Sequence, residues 1–212
     1  MPASQAHLYL RSFVEVGLLE YDSSTHLYSL GAYAIRLGLA AIRQNDVASA
    51  SRGPMRAIQQ DLQVPVYLSV WANNGPTIIS KIDFDIRLPM MIRIGNSLPL
   101  TQSATGQLFL SFLQPEELEP VLERELAIIN IDRSKLEALR QEVLARHYAS
   151  SDSRLNTGFA SIAAPVFDRD NQMVGAMTLL GLRDHPTFQD IGRSAEKLST
   201  VTKEISLSLE KR

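Results

Sequence analysis

The side chains able to do covalent or metal chemistry are few and badly placed for it. Histidine occurs only at His7, His26, His147 and His185, and there is no cysteine. Thiolate nucleophiles, disulfides and cysteine-based zinc sites are therefore excluded. No G-x-S-x-G elbow, H-E-x-x-H pair or phosphate-cradling glycine loop is present. Asp152 lies close enough in sequence to approach His147, but no nucleophile completes a triad. Glu116, Glu117, Glu123 and Arg124 read as a solvated, self-pairing helix surface. The expectation is a chain that is not an enzyme and needs neither metal nor cofactor.

What remains is non-covalent recognition, and two segments carry it. The first is LPLTQSATG (Leu98–Gly106). Thr101 reads as the cap of a helix whose first amides, around Ser103, Ala104 and Thr105, have no intrahelical acceptor. Small side chains there let a ligand approach the backbone, and the positive end of the helix dipole suits an anion such as a carboxylate. The same letters also fit an ordinary capped helix packed on a sheet. The second segment is ASQAHLYLR (Ala3–Arg11). Ser4, Gln5 and His7 are short polar groups near the start of a helix, the arrangement that reads base edges from the major groove. Tyr9 and Arg11 would then touch the phosphate backbone. A plain solvated face is the competing reading, since residues 1–45 hold three arginines against three acidic residues.

The elements that must position these groups follow from periodicity and punctuation. A helix over residues 2–16, with Ser4 as a candidate cap, stops at Gly17. Short strands Leu18–Tyr21 and His26–Leu30 flank a polar turn, so helix, glycine and hairpin make the back half of a winged helix. Helices follow over Gly31–Asn45 and Val47–Leu62. VPVYLSVWA and PTIISKIDF flank Asn73-Asn74-Gly75 as an antiparallel hairpin. MMIRIG (Met90–Gly95) reads as a third strand, and a helix capped by Thr101 runs to about Leu113. Helices over 115–126 and 133–147 come next. FASIAAPVFD and QMVGAMTLLG form a second hairpin around Arg169-Asp170-Asn171, and one helix over 188–210 closes the chain. Hairpins with helices between them predict an α+β domain on an antiparallel sheet.

Three segments in this order and spacing, VEVGLLEYDSSTHLYSLG (Val14–Gly31), IRIGNSLPLTQSATGQLFLSF (Ile92–Phe112) and GFASIAAPVFDRDNQMVGAMTLLG (Gly158–Gly181), resemble the IclR family of regulators. The resemblance implies a partial winged helix-turn-helix over 1–30, a linker helix over 31–46 and a GAF-like effector-binding domain over 47–212. It implies operator DNA and a small organic acid, aliphatic or aromatic, as partners, and a homodimer or tetramer. By position it places Met90, Leu98, Ser151, Asp152, Phe159, Ser161, Thr178 and Leu180 around the effector, with Arg87 and Arg93 as candidate counter-charges. The chain departs from the family pattern at Leu8, Thr101 and Gln107, where an arginine, a histidine and a lysine are usual. It begins at or just before the reading helix, so the alternative is a ligand-binding and oligomerisation module that modulates full-length partners without binding DNA.

Composition agrees with a globular protein: 45% hydrophobic and 21% charged residues, and a net charge of −2. No apolar run approaches a membrane span and no secretory leader is evident, which leads to the expectation of a cytoplasmic protein.

Overall fold

The computed structural model describes residues 2–44, 46–84, 92–129, 131–152 and 158–210, the side chains of Arg43 and Asp152 aside. The chain divides into two compact units, Met1–Asp46 and Val47–Arg212.

The first unit opens with α1 (Ala3–Glu15), which ends where Gly17 takes a left-handed φ of +73°. Pro2 holds the N-cap position and Ser4 lies inside the helix, so the expected serine cap is replaced. Strands β1 (Leu19–Asp22) and β2 (Leu27–Leu30) pair in register from Leu19 opposite Leu30 to Asp22 opposite Leu27. Asp22 shapes the turn between them, accepting from the Ser24 amide at 2.8 Å, the Ser24 hydroxyl at 2.6 Å and the Thr25 hydroxyl at 2.9 Å. Those donors favour the ionised carboxyl and hold its pKa down to about 2, from 3.8. Gly31 passes so close to the Gly17 carbonyl that an added Cβ would sit 2.3 Å from its oxygen. Helix α2 (Ala32–Gln44) follows, with Tyr33, Ile35, Leu37 and Leu39 exposed.

The second unit is built on a five-stranded, wholly antiparallel sheet of order β4-β3-β7-β6-β5. Its strands are β3 (Val66–Ala72), β4 (Gly75–Ile82), β5 (Ala149–Asp152), β6 (Phe159–Phe167) and β7 (Met173–Leu182). One face is covered by α4 (Ala104–Phe112), backed by α5 (Pro115–Leu126) and α6 (Arg133–Arg146). The other face carries α3 (Asp46–Leu62), α7 (Pro186–Gln189) and α8 (Ile191–Glu210), with Lys197 of α8 paired to Asp61 of α3 at 2.6 Å. Cover on both faces is why Ala160 to Val166 of β6 are buried without alternation.

Three expectations are corrected, and one strand had not been foreseen. MMIRIG forms no third strand where it is described: Ile92 and Arg93 have no regular structure and Ile94-Gly95 make a turn, Met90 and Met91 lying outside the described residues. That turn hangs on β4 through Gly95 N to Ile78 O (2.8 Å) and Ile78 N to Asn96 O (3.0 Å). Ser103, not Thr101, caps α4, its hydroxyl accepting from Gly106 N at 2.9 Å. The closing helix is two, because Asp190 interrupts it. Strand β5, four residues of ASSD, carried no strand signal and was not expected.

Candidate functional site

The sheet register sets the site. Tyr67 on β3 stands opposite Thr178 on β7, and on its other side opposite Lys81 on β4. Two residues along, Leu180, Ser161 and Ser151 form the next row across β7, β6 and β5. Because side chains two apart share a face, both rows point the same way, towards the first turn of α4. Leu98, Ile78 and Ile92 pack with Tyr67 and Leu180 as an apolar wall. Phe159 lies on the same face, one row further on.

At the centre are three buried hydroxyls. Thr105 Oγ1 of α4 lies 2.8 Å from Thr178 Oγ1 and 3.4 Å from the Tyr67 hydroxyl. Thr105 and Thr178 are fully buried and Tyr67 is 4% exposed. Burial pushes the Tyr67 phenol above its ordinary pKa, with hydrogen bonds to the two threonines opposing, so it stays neutral. Tyr67 thus bonds to both threonines and they bond to each other, and because a hydroxyl rotates to suit, any of the three can turn its O–H to a further acceptor.

The helix start that faces this group is held from behind. A Cβ on Gly106 would sit 2.1 Å from the Pro99 carbonyl oxygen, so only glycine lets residues 99–100 lie against the first turn. Glu125 of α5 clamps the same stretch. Its carboxylate accepts from Leu100 N at 2.6 Å, from Thr101 N at 2.9 Å and from the Thr101 hydroxyl. Ser151 donates to Gln102 O at 2.9 Å and ties β5 to the loop.

Of the residues expected at the effector site, Leu98, Ser103, Ala104, Thr105, Ser151, Phe159, Ser161, Thr178 and Leu180 thus gather at one face of the sheet around the start of α4. Met90 and Arg87 lie outside the described residues, as does the side chain of Asp152. The Ser103 hydroxyl is spent on its cap and on Pro99 O, at 2.6 Å. Thr101 faces Glu125 rather than capping, and Arg93 is exposed outside any strand. Tyr67, Lys81 and Glu125 were not singled out from sequence. The alternation of VYLSVWA places Tyr67 with Trp71 on the inner face and was the available signal for it. Lys81 donates to Ile92 O at 2.9 Å and pairs with Asp83 at 2.9 Å, steadying the chain where it leaves β4.

Ser4, Gln5, His7, Tyr9 and Arg11 are all exposed on α1. Ser4, His7 and Arg11 lie along one side at spacings of three and four, with Gln5 and Tyr9 on the adjoining side. Among the described residues no group of three or more histidines or acids is placed to hold a metal ion, and no helix is long and apolar enough to cross a membrane.

Residues 39–207 match the family model described as bacterial transcriptional regulator IclR C-terminal. The HTH-type transcriptional regulator KipR of Bacillus subtilis (strain 168) is 26% identical over 212 residues, covering 97% of this chain and 84% of KipR. KdgR of Escherichia coli (strain K12), another HTH-type transcriptional regulator, is 24% identical over 184 residues, 84% of this chain and 70% of KdgR. Among solved structures, Pseudomonas aeruginosa HmgR is 31% identical, covers 99% of this chain and 86% of its own, and superposes with a TM-score of 0.73. A regulator from Brucella abortus shares the fold at 18% identity and a TM-score of 0.80, with 99% of this chain and 81% of its own covered.

Proposed function

The chain belongs to the IclR family of bacterial transcriptional regulators, and from that premise we propose that it is a DNA-binding regulator whose second unit senses a small organic acid. The observation that carries the ligand class is the buried hydroxyl group of Tyr67, Thr105 and Thr178 beside the start of α4. A carboxylate would accept a hydrogen bond from one of these hydroxyls and meet the positive end of the helix. Leu98, Ile78 and Leu180 supply apolar wall for the rest of the molecule, the mix that small-molecule sites use. The body of the acid is aliphatic or aromatic in this proposal.

In this reading α1 enters the major groove, Ser4, Gln5 and His7 reach base edges, and Tyr9 and Arg11 fix register on the phosphates. Ligand binding biases an equilibrium between two arrangements of the oligomer that differ in the spacing of their reading helices.

The test is thermal unfolding of the parent and of Tyr67→Phe and Thr178→Val against a panel of aliphatic and aromatic carboxylates. A ligand at a hundredfold excess over its Kd stabilises the folded state by about 2.7 kcal/mol. The reading predicts a rise for the parent that shrinks in both variants. Rises of equal size in all three proteins would remove the hydroxyl group from the site.

A further inference from the structure

A cavity of about 620 Å³, whose lining includes none of the three hydroxyl residues, lies between the end of α6, the β6–β7 hairpin and α8. We infer that it is a separate site for an amphiphilic organic anion: an acid group on an aromatic or similarly flat apolar body. Its volume is that of small-molecule sites, which run from about 300 to 1,000 Å³.

The floor is apolar and fixed. Pro165 and Phe167 form it where β6 runs on beyond the end of β5, whose last pairing is Ala149 with Ala163. Phe167 N donates to Ser206 Oγ of α8 at 2.9 Å, and its ring packs edge-on against Phe112 at 5.3 Å. Ser206 in turn donates to Thr202 O at 2.9 Å, so these polar groups are spent on holding the wall. Leu207, 53% exposed, continues the apolar surface.

The charges are not spent in the same way. Lys203, one helical turn before Leu207 on the same side of α8, has no ion-pair or hydrogen-bond partner among the described residues. Arg146, on the opposite wall, is engaged among the described residues only by exposed Glu142 on its own helix at 2.6 Å, a pairing worth little in water. Of the two acids in the lining, Asp168 is committed to its own turn, accepting from the Asp170 and Gln172 amides at 2.9 and 2.8 Å. Glu210 lies seven residues beyond Lys203, about 10 Å along the helix at 1.5 Å per residue. The cationic end thus carries Lys203 and Arg146 against an Asp168 engaged in its own turn and a Glu210 further along the helix, and it faces a fixed aromatic floor. An acid group sits between Lys203 and Arg146, with the body over Phe167 and against Leu207.

Because the chain has no cysteine, Leu207→Cys places a single thiol in the cavity. Its rate of reaction with a thiol reagent reads occupancy there and nowhere else, and 2-naphthoate is the probe. At ten times its Kd, the probe slows modification about tenfold by mass action. The slowing disappears with Lys203→Glu and persists with Lys203→Arg and with Thr178→Val, which alters only the hydroxyl site. Ile128→Cys, a thiol at a position 87% exposed, reacts at an unchanged rate. No slowing up to about 10 mM, weaker than the millimolar affinities of small ligands, would overturn the proposal. So would slowing that survives Lys203→Glu or that appears equally at Ile128→Cys.

Discussion

Replacing Glu125 with alanine removes one carboxylate and strands three donors: Leu100 N, Thr101 N and the Thr101 hydroxyl. Leu100 is fully buried and Thr101 is 6% exposed, so rehydration by ordered water is partial. An unsatisfied buried donor costs about 1–3 kcal/mol. With the hydroxyl free to rotate to another acceptor and the vacated space able to admit a water, two amides set the scale, at about 3 kcal/mol in all. For a unit of this size that is a fall in Tm of roughly 6–12 °C. Glu125→Gln keeps one acceptor oxygen but turns an NH2 towards a donor, and about half the loss follows. The assay is urea unfolding followed by the fluorescence of Trp71, the sole tryptophan, whose ring lies 5.7 Å from Phe109 of α4 and so reports on the docking of that helix. The slope of stability against urea stays at the parent value if the unfolding unit is unchanged. A loss below about 0.5 kcal/mol for the alanine variant, the level of an ordinary surface substitution, would refute the idea that Glu125 holds the start of α4.

The other predictions concern both units. Gly31→Ala drives a Cβ into the Gly17 carbonyl and destabilises the first unit by about 1–3 kcal/mol or more; circular dichroism shows the loss, while the Trp71 transition is unmoved. Thr178→Val removes a buried hydroxyl and costs about 1–2 kcal/mol by urea unfolding, with a loss of carboxylate binding that exceeds the effect of a neighbouring apolar substitution. Asp22 has a folded pKa below its unfolded value, so its contribution is present above about pH 4 and is lost as the pH falls towards 2. The amide shift of Ser24, followed by NMR, therefore titrates with a midpoint near 2 rather than 3.8, and Asp22→Asn abolishes the step.

The long helices and both major hairpins were readable because local pattern and packing agree there. Asn73-Asn74-Gly75 closes β3 onto β4, and Gly75 has the positive φ that the letters promised. MMIRIG misled because β-propensity measures fit to a pleated, partnered surface, and the chain from Ile92 crosses the end of β4 as a turn instead. Strand β5 was hidden for the opposite reason. ASSD has no strand-forming side chains, and pairing with β6 makes it a strand. At the candidate site, two capping residues two positions apart competed, and Glu125, twenty-four residues from Thr101, decided between them. No local signal carries a contact at that separation. The hydroxyl group is a similar case, since Tyr67, Thr105 and Thr178 meet across 38 and 73 positions.

In the regulator proposed above, one ligand pocket and one DNA-reading helix are coupled, and coupling free energies are reciprocal. The most direct test measures the Kd of the carboxylate identified by thermal unfolding, with and without saturating DNA selected by repeated rounds of binding to this protein. DNA is expected to shift the carboxylate Kd by about 5-fold to 150-fold, the carboxylate to shift the DNA Kd by the same factor, and Thr178→Val to reduce the affinity for the acid. A carboxylate Kd that is unchanged by bound DNA, or a chain that selects no DNA while binding the acid, would contradict that proposal.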